Sequence, residues 1–259
     1  MFPVANGGSH EERAVALVLR TVDYGEADRI VTFFTRELGK VSAFARAARK
    51  SQKRFGGALE PFNRLLIRYR DRRGELLSLS SATIDRSRPG IVTDLDRISR
   101  AAYLTELTSE AVREREALPE LFDLLDAGLE VIGSATPTGG GWLAAFELKL
   151  LSLAGYRPDL AGCASCGDAD AELYRFVADR GVIFCGRCAG GNGSVVSRGT
   201  LRLLEASFDA PLHALEGVVF TPAQVDESRR LLGPFIRLVL GKELRSARFL
   251  DDATGGRKP

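Results

Sequence analysis

At 259 residues, 45% hydrophobic and 27% charged, the chain has apolar material for one large domain or two to three small ones, each with its own core. No stretch approaches the roughly 18 apolar residues of a membrane span, and Met1–His10 is polar and glycine-rich, without the apolar segment of a secretory leader. A cytoplasmic protein with no membrane attachment is the expectation.

The overall charge of +2 hides a strong asymmetry. Between Lys40 and Arg73 eleven cations (Lys40, Arg46, Arg49, Lys50, Lys53, Arg54, Arg64, Arg68, Arg70, Arg72 and Arg73) face only Glu60 and Asp71, a net of +9. Such a concentration attracts polyanions, nucleic acid foremost, although a solvated face is the plainer reading of charge alone. From Ile91 to Ala135 ten carboxylates outnumber four arginines. A basic front and an acidic middle predict two modules with different partners.

Between Arg13 and Ile84 the pattern predicts short strands: Ala14–Thr21, Asp28–Thr35, Val41–Arg46, Leu59–Tyr69 and Leu76–Ala82, with turns at Asp23/Gly25, Leu38-Gly39 and Asp71–Gly74. Five such strands suit a small closed barrel of the oligonucleotide-binding kind, though strands alone do not establish closure. On the fourth, alternation puts Leu65, Ile67 and Tyr69 on one face and Arg64, Arg68 and Arg70 on the other, an arginine-lined exterior. Arg46–Gly57 reads as a basic loop. Phe55 within it and Phe62 after it are either core residues or aromatics on which a base stacks.

Beyond Pro89-Gly90 the period turns helical. A long helix carries Leu95, Ile98, Ala102, Leu107 and Val112, and Leu118-Pro119 ends it. Further helices are predicted over Leu121–Ile132, Trp142–Ala154 and Ser197–Ala206. The last has the clearest start, with Thr221 as cap, Pro222 in the first turn and Gln224 as capping-box partner, and Gly241 as its stop. Its positions Val225, Leu232, Phe235, Ile236 and Val239 are expected to face a core. The Gly139–Gly141 run reads as a hinge or helix start.

All four cysteines fall into one arrangement, Cys163-x2-Cys166, eighteen residues, Cys185-x2-Cys188. Two such knuckles offer four thiolates that close tetrahedrally on a soft metal, usually zinc, with iron or paired redox thiols as alternatives. Four protein ligands leave no open position for water, so the metal is expected to be structural. Leu173–Phe176 and Gly181–Phe184 form a predicted hairpin between the knuckles.

Histidine chemistry has little to build on. His10 lies in the leading tail and His213 is solitary. His10-Glu11-Glu12 matches the H-x-E of zinc deaminases, but Gly162 and Phe184 precede the cysteine pairs where that pattern needs proline. Gly241-Lys242 is followed by Glu243 and lacks the upstream glycine of a phosphate-binding loop. No catalytic residues are assigned.

Several blocks in order resemble the family of the bacterial recombination mediator RecO. They are Ala16–Thr32, Thr35–Val41, Ala45–Phe55, Leu59–Phe62, Tyr103–Leu107, Pro119–Phe122, Phe146–Leu151 and Gly155–Leu160, and the similarity runs from Ala16 to about Leu250. The resemblance implies an α+β protein, with an N-terminal five-stranded OB-fold barrel followed by an α-helical domain carrying a four-cysteine zinc knuckle. The expected layout is a tail over 1–12, a barrel over 13–85, a helical domain over 90–250 with the zinc-binding insertion at about 160–192, and a tail over 251–259. It also implies a non-enzymatic role in DNA repair: binding single- and double-stranded DNA, annealing complementary strands, and helping load the recombinase onto DNA coated by single-strand-binding protein. Expected partners are RecR and the tail of that coating protein. Carried over by position, Arg46, Arg49, Lys50, Lys53 and Arg54 are DNA-contacting; Arg64, Arg68 and Arg70 join them through the strand pattern. The chain departs from the usual pattern at Ala47, where many relatives have glycine, and at Gln52-Lys53, where serine is frequent. The alternatives are a zinc-ribbon transcription or RNA-binding factor and a metal-dependent nuclease built on carboxylates. An acidic, apolar-ended tail needs an apolar groove beside a cation, and Arg237, Lys242 and Arg245 near Phe235, Leu238 and Leu244 are the candidates.

Overall fold

The computed structural model describes residues 10–71, 74–134, 140–215 and 220–253, the side chains of 213, 215 and 251–253 excepted. The cations at Arg72 and Arg73 and the glycine at 139 lie outside this set.

Five strands close into a barrel: β1 (Glu12–Tyr24), β2 (Asp28–Thr35), β3 (Gly39–Ala45), β4 (Arg64–Arg70) and β5 (Leu76–Arg86). Their order around the wall is β1-β2-β3-β5-β4 and back to β1, with β3 and β5 parallel and every other pair antiparallel. This is the predicted OB-fold barrel. The small and branched residues at alternate positions explain it, because one face of each strand fills the interior: Ala14, Ala16 and Val18; Val31 and Phe33; Val41, Ala43 and Ala45; Leu65, Ile67 and Tyr69; Leu77 and Leu79. A register shift between Val18 and Arg20 lets β1 bend, so that its first half pairs with β4 while most of its length pairs with β2.

The fourth strand starts at Arg64, later than predicted. Residues 59–63 instead form turns, because the chain must first seat Phe55, Ala58 and Leu59 in the barrel core. Phe55 is 3% exposed, which settles its reading as core. The predicted basic loop contains one helical turn, α1 (Gln52–Phe55), ended by Gly56 in the left-handed conformation. Ala47 also adopts a left-handed φ of 52°, which costs a residue with a Cβ about 1–2 kcal/mol. Its N–H donates to Asp28 Oδ1 at 2.6 Å, and its carbonyl accepts from Lys50 and Ser51 N–H groups, so the turn is held despite the strain.

The compact unit around the barrel comprises residues 1–89 and 112–126. Gly39 has φ 69° and packs so closely on Glu116 that a Cβ would lie 1.9 Å from its carbonyl oxygen, so no larger residue fits there. Phe34 packs on Phe122, at the start of α3 (Pro119–Gly133). Arg88, with a side chain 2% exposed, donates to Asp126 and to the Phe62 carbonyl, and Arg64 donates to Asp126 and Asp85 at 2.6 Å each. That contact holds Phe62 at a φ of 71°, half-buried.

The second unit, residues 90–111 and 127–259, is built on α4 (Gly140–Leu153), which is apolar on nearly every side and correspondingly enclosed. Against it lie α5 (Arg198–Asp209) and α6 (Pro222–Leu240), and α2 (Leu95–Ala111) reaches it through Tyr103, which donates to Glu147. The capping box of α6 is present, with Thr221 and Gln224 bonded reciprocally, and Gly241 closes the helix in the left-handed region. Four strands, β6 (Asp159–Cys163), β7 (Leu173–Val177), β8 (Val182–Cys185) and β9 (Ser194–Ser197), form a sheet in the order β6-β8-β7-β9; only the central hairpin was legible from sequence. A further helix, α7 (Arg245–Ala253), follows Gly241 and runs into the segment read as a tail. Glu106 of α2 caps it by accepting from the N–H groups of Arg245 and Ser246. Burial works against the charge on Glu106, but these bonds and the Ser246 hydroxyl outweigh it and hold the carboxyl below its usual range.

Asp126 serves two guanidinium groups, one of them buried. Replacing it by Asn keeps the shape but removes the negative charge to which both guanidinium groups are bonded. Asp126→Asn is expected to cost on the order of 3 kcal/mol in a urea titration, whereas loss of an ordinary surface charge costs less than about 1 kcal/mol.

Candidate nucleic-acid interface and four-cysteine centre

The eight cations singled out by sequence fall into two sets. Arg46, Arg49, Lys50, Lys53 and Arg54 form one segment, fastened to the β1–β2 turn at Ala47 and Arg49. Arg49 N–H donates to the Ala27 carbonyl at 3.0 Å, its guanidinium reaches the Glu26 carbonyl at 3.4 Å, and Asp23 lies 3.8 Å away. Arg54 is a brace rather than a free arm. It donates to Ser51 Oγ and to the Arg46 carbonyl, and its guanidinium lies 5.1 Å from the centre of the Phe55 ring. Arg46, Lys50 and Lys53 are exposed.

The β4 arginines differ from one another. Alternation places Leu65, Ile67 and Tyr69 inside, as predicted, and Arg64, Arg68 and Arg70 outside. Arg64, however, is bound into the Asp85–Asp126 cluster, which raises its pKa: the two hydrogen-bonded carboxylates outweigh the desolvation that opposes the charge. Arg68 is half-exposed and paired with Glu11 at 2.9 Å, and Arg70 is exposed. The register places the two ends of this row differently with respect to the basic segment. Arg68 sits opposite Arg13 at the start of β1, whereas the basic segment adjoins the far end of that strand. Round the other side of the barrel, Arg70 lies opposite Ser78 of β5, which lies opposite Phe44 of β3, two residues before Arg46.

Sequence reasoning missed the aromatic pair beside the basic segment. Tyr24, at the end of β1, is 56% exposed and meets the half-buried Phe44 of β3 edge to face, their ring centres 5.9 Å apart. Spacing along the chain gave no signal of it; only the strand register shows that the two rings meet over β2.

The four cysteines converge. Cys163 ends β6 and Cys185 ends β8, and each opens a tight turn that returns the second thiol of its pair: Gly167 N–H donates to the Cys163 carbonyl at 2.8 Å, and Cys188 N–H to that of Cys185 at 2.9 Å. All four Sγ atoms lie within 4.8 Å of one another, with Cys166 and Cys185 3.7 Å apart. A tetrahedral centre with metal–sulfur bonds of about 2.3 Å requires sulfur–sulfur edges of about 3.8 Å, so the thiols can hold a metal ion with little movement. Burial favours the Cys163 thiol, yet the backbone groups of Cys185, Cys166 and Ser165 stabilise its thiolate and bring its pKa down to about 6. Among the described residues this is the only cluster of three or more metal-ligating side chains.

In the helical unit, Arg237, Lys242 and Leu244 line a cleft of about 230 Å³ with Tyr103, Leu143, Glu147 and Ile236. Phe235 does not join them; it is buried against Phe176, ring centres 5.5 Å apart. Leu238 is exposed, Arg237 pairs with Glu243, and Lys242 pairs with Glu110 at 2.5 Å. At the floor Glu147 accepts from Tyr103 Oη at 2.6 Å, and burial pushes its pKa up to about 7. No described helix is long and apolar enough to cross a membrane.

Comparison with known proteins agrees along most of the chain. Residues 10–88 match the family described as Recombination protein O N terminal, and residues 92–248 match Recombination protein O C terminal. A protein of Anaeromyxobacter sp. (strain K) named DNA repair protein RecO is 43% identical over 244 residues, covering 93% of this chain and 96% of its own. Proteins of the same name from Myxococcus xanthus and Geobacter sulfurreducens are 40% and 39% identical, covering 91% and 95% of this chain and 95% and 99% of theirs. With both halves matched in order and relatives of this identity spanning nearly the full chain, the protein belongs to the RecO family.

Proposed function

We propose that this protein is a non-enzymatic mediator of recombinational DNA repair in the cytoplasm. In this reading it binds single- and double-stranded DNA through the basic segment of its barrel, anneals complementary strands, and with RecR helps load the recombinase onto DNA coated by single-strand-binding protein. The observation that carries the reading is the basic segment pinned to the turn of a closed OB barrel, in a chain whose relatives are named for DNA repair. Annealing needs two repelling backbones brought together, and cationic neutralisation achieves that without nucleotide hydrolysis. Arg46, Lys50 and Lys53 supply exposed charge, Arg49 and Arg54 shape the segment while adding to it, and Arg68 and Arg70 serve as a secondary site.

Cys163, Cys166, Cys185 and Cys188 would hold one structural zinc ion, which cross-links the sheet of the helical unit and leaves no position for a reacting ligand. The cleft at Lys242 and Leu244 would receive the acidic, apolar-ended tail of the coating protein, its apolar end among Leu143, Ile236 and Leu244 and its carboxylates beside Arg237 and Lys242.

Three measurements test these assignments. Each phosphate contact with a single strand contributes about −0.7 to the slope of log affinity against log salt. Changing Arg46, Arg49, Lys50, Lys53 and Arg54 together to Ala should flatten that slope by roughly two to four units and slow annealing; an unchanged slope would mark the segment as merely solvated. Protein purified without added metal should carry one zinc per chain by elemental analysis, and Cys185→Ser should lower its melting temperature. A fluorescent tail peptide should bind the full chain, with Lys242→Glu weakening it about tenfold or more through charge reversal beside the peptide carboxylates; equal binding by that variant refutes the cleft.

A further inference from the structure

The basic segment accounts for attraction to any phosphate backbone, but not for a preference between paired and unpaired strands. We infer that Tyr24 and Phe44 form a stacking platform for unpaired bases of a single strand on the outer wall of the barrel, a proposal that rests on the DNA-binding reading above.

The register assembles the platform. Val22 of β1 lies opposite Ile30 of β2, which lies opposite Phe44 of β3, and Tyr24 lies opposite Asp28. Because alternate residues share a face, Val22, Tyr24, Ile30 and Phe44 all stand on the outside of the wall, away from the core residues Val31 and Ala43. Tyr24 and Phe44 belong to strands that are not neighbours, so they meet by reaching over β2. Their planes cross at 83°, and whichever ring supplies the edge, at least one face of Tyr24 is left uncovered by Phe44. Val22 is 41% exposed and Tyr24 56%, which is an apolar surface turned towards solvent on a strand whose other face fills a core.

Charge names the occupant. Arg20, one residue row away, is exposed, and Arg46 continues β3 just beyond Phe44. Arg49 is bonded to the same β1–β2 turn that carries Tyr24. The carboxylates at this turn are largely engaged: Asp23 with Arg29 at 3.0 Å and with Arg49, and Asp28 with the Ala47 N–H. Glu26 stands exposed among them. An aromatic surface edged by guanidinium groups suits a chain that is apolar on its base faces and anionic along its backbone. Single-stranded nucleic acid has that chemistry, whereas a duplex hides its base faces in its own stack.

The experiment compares affinity for oligothymidylate with that for a duplex of equal length, at fixed salt. Tyr24→Leu keeps apolar bulk and removes the ring; it should weaken oligothymidylate binding about tenfold and leave duplex binding within about twofold. Tyr24→Phe should restore wild-type affinity, since the ring rather than the hydroxyl makes the contact. The salt slope of Tyr24→Leu should match wild type, because no phosphate contact is lost. Independently of any variant, photocross-linking of the wild-type protein to 5-iodouracil-containing oligonucleotide should place the adduct on Tyr24 or Phe44 by mass spectrometry. If Tyr24→Leu leaves oligothymidylate affinity unchanged while the five-residue basic variant still flattens the salt slope, the platform is wrong and the DNA-binding reading stands. Equal losses on single strand and duplex would also overturn it, by showing the ring to be only part of the wall. Absence of binding to either nucleic acid by wild type would refute both.

Discussion

Where β4 and β5 meet α3, the barrel's unit is organised around one carboxylate, Asp126, held between two guanidinium groups. Arg88 is taken out of water at a cost of several kcal/mol, which only a close counter-charge and satisfied donors can offset. Asp126 supplies the charge, and the carbonyls of Phe62 and Asp126 take further donors. Arg64 completes the group on the barrel side. Around this cluster β4, the end of β5 and the start of α3 become parts of one compact unit, and the turn before β4 is fixed with Phe62 in an otherwise unfavourable backbone conformation.

The cluster also decides how the charge of the basic stretch is divided. By composition the region from Lys40 to Arg73 is uniformly cationic, yet much of that charge is internal to the fold. Arg64 is neutralised by Asp85 and Asp126, Arg68 leans on Glu11, and Arg54 holds its own loop together. Most of the exposed remainder lies on the segment after β3, with Arg70 on β4 beside it. A positive run in a sequence is therefore an upper bound on what a ligand meets, because carboxylates distant along the chain come to lie beside it.

What could be read from the residues divides along the same line between local and distant causes. The alternation of Leu65, Ile67 and Tyr69 with arginines is a property of consecutive residues, and the strand obeys it. The spacing of Cys163, Cys166, Cys185 and Cys188 survives because each pair closes its own turn. Thr221 and Gln224 cap α6 from within a single helical turn. The features that escaped need partners far away. The helical turn at Gln52–Phe55 exists because Phe55 is drawn into a core built by other strands. The outer strands β6 and β9 are five and four residues long and pair only once the central hairpin offers its edges. Helix α7 opens on a carboxylate from α2. The meeting of Tyr24 and Phe44 across β2 has the same origin, in strand register rather than in spacing.

The capping of α7 by Glu106 has a consequence for the order in which the molecule is made. Ser246 follows Glu106 by 140 residues, so at ribosomal rates of about 5–20 residues per second the carboxylate waits roughly 7–30 seconds for its partner. The barrel waits for nothing beyond Asp126, near the middle of the chain. During synthesis the barrel can thus close and bury its aromatic and branched interior while the helical half is still incomplete. The half that finishes last exposes α4, apolar on nearly every side, until α6 arrives, which makes α4 the stretch most in need of shielding in a nascent chain.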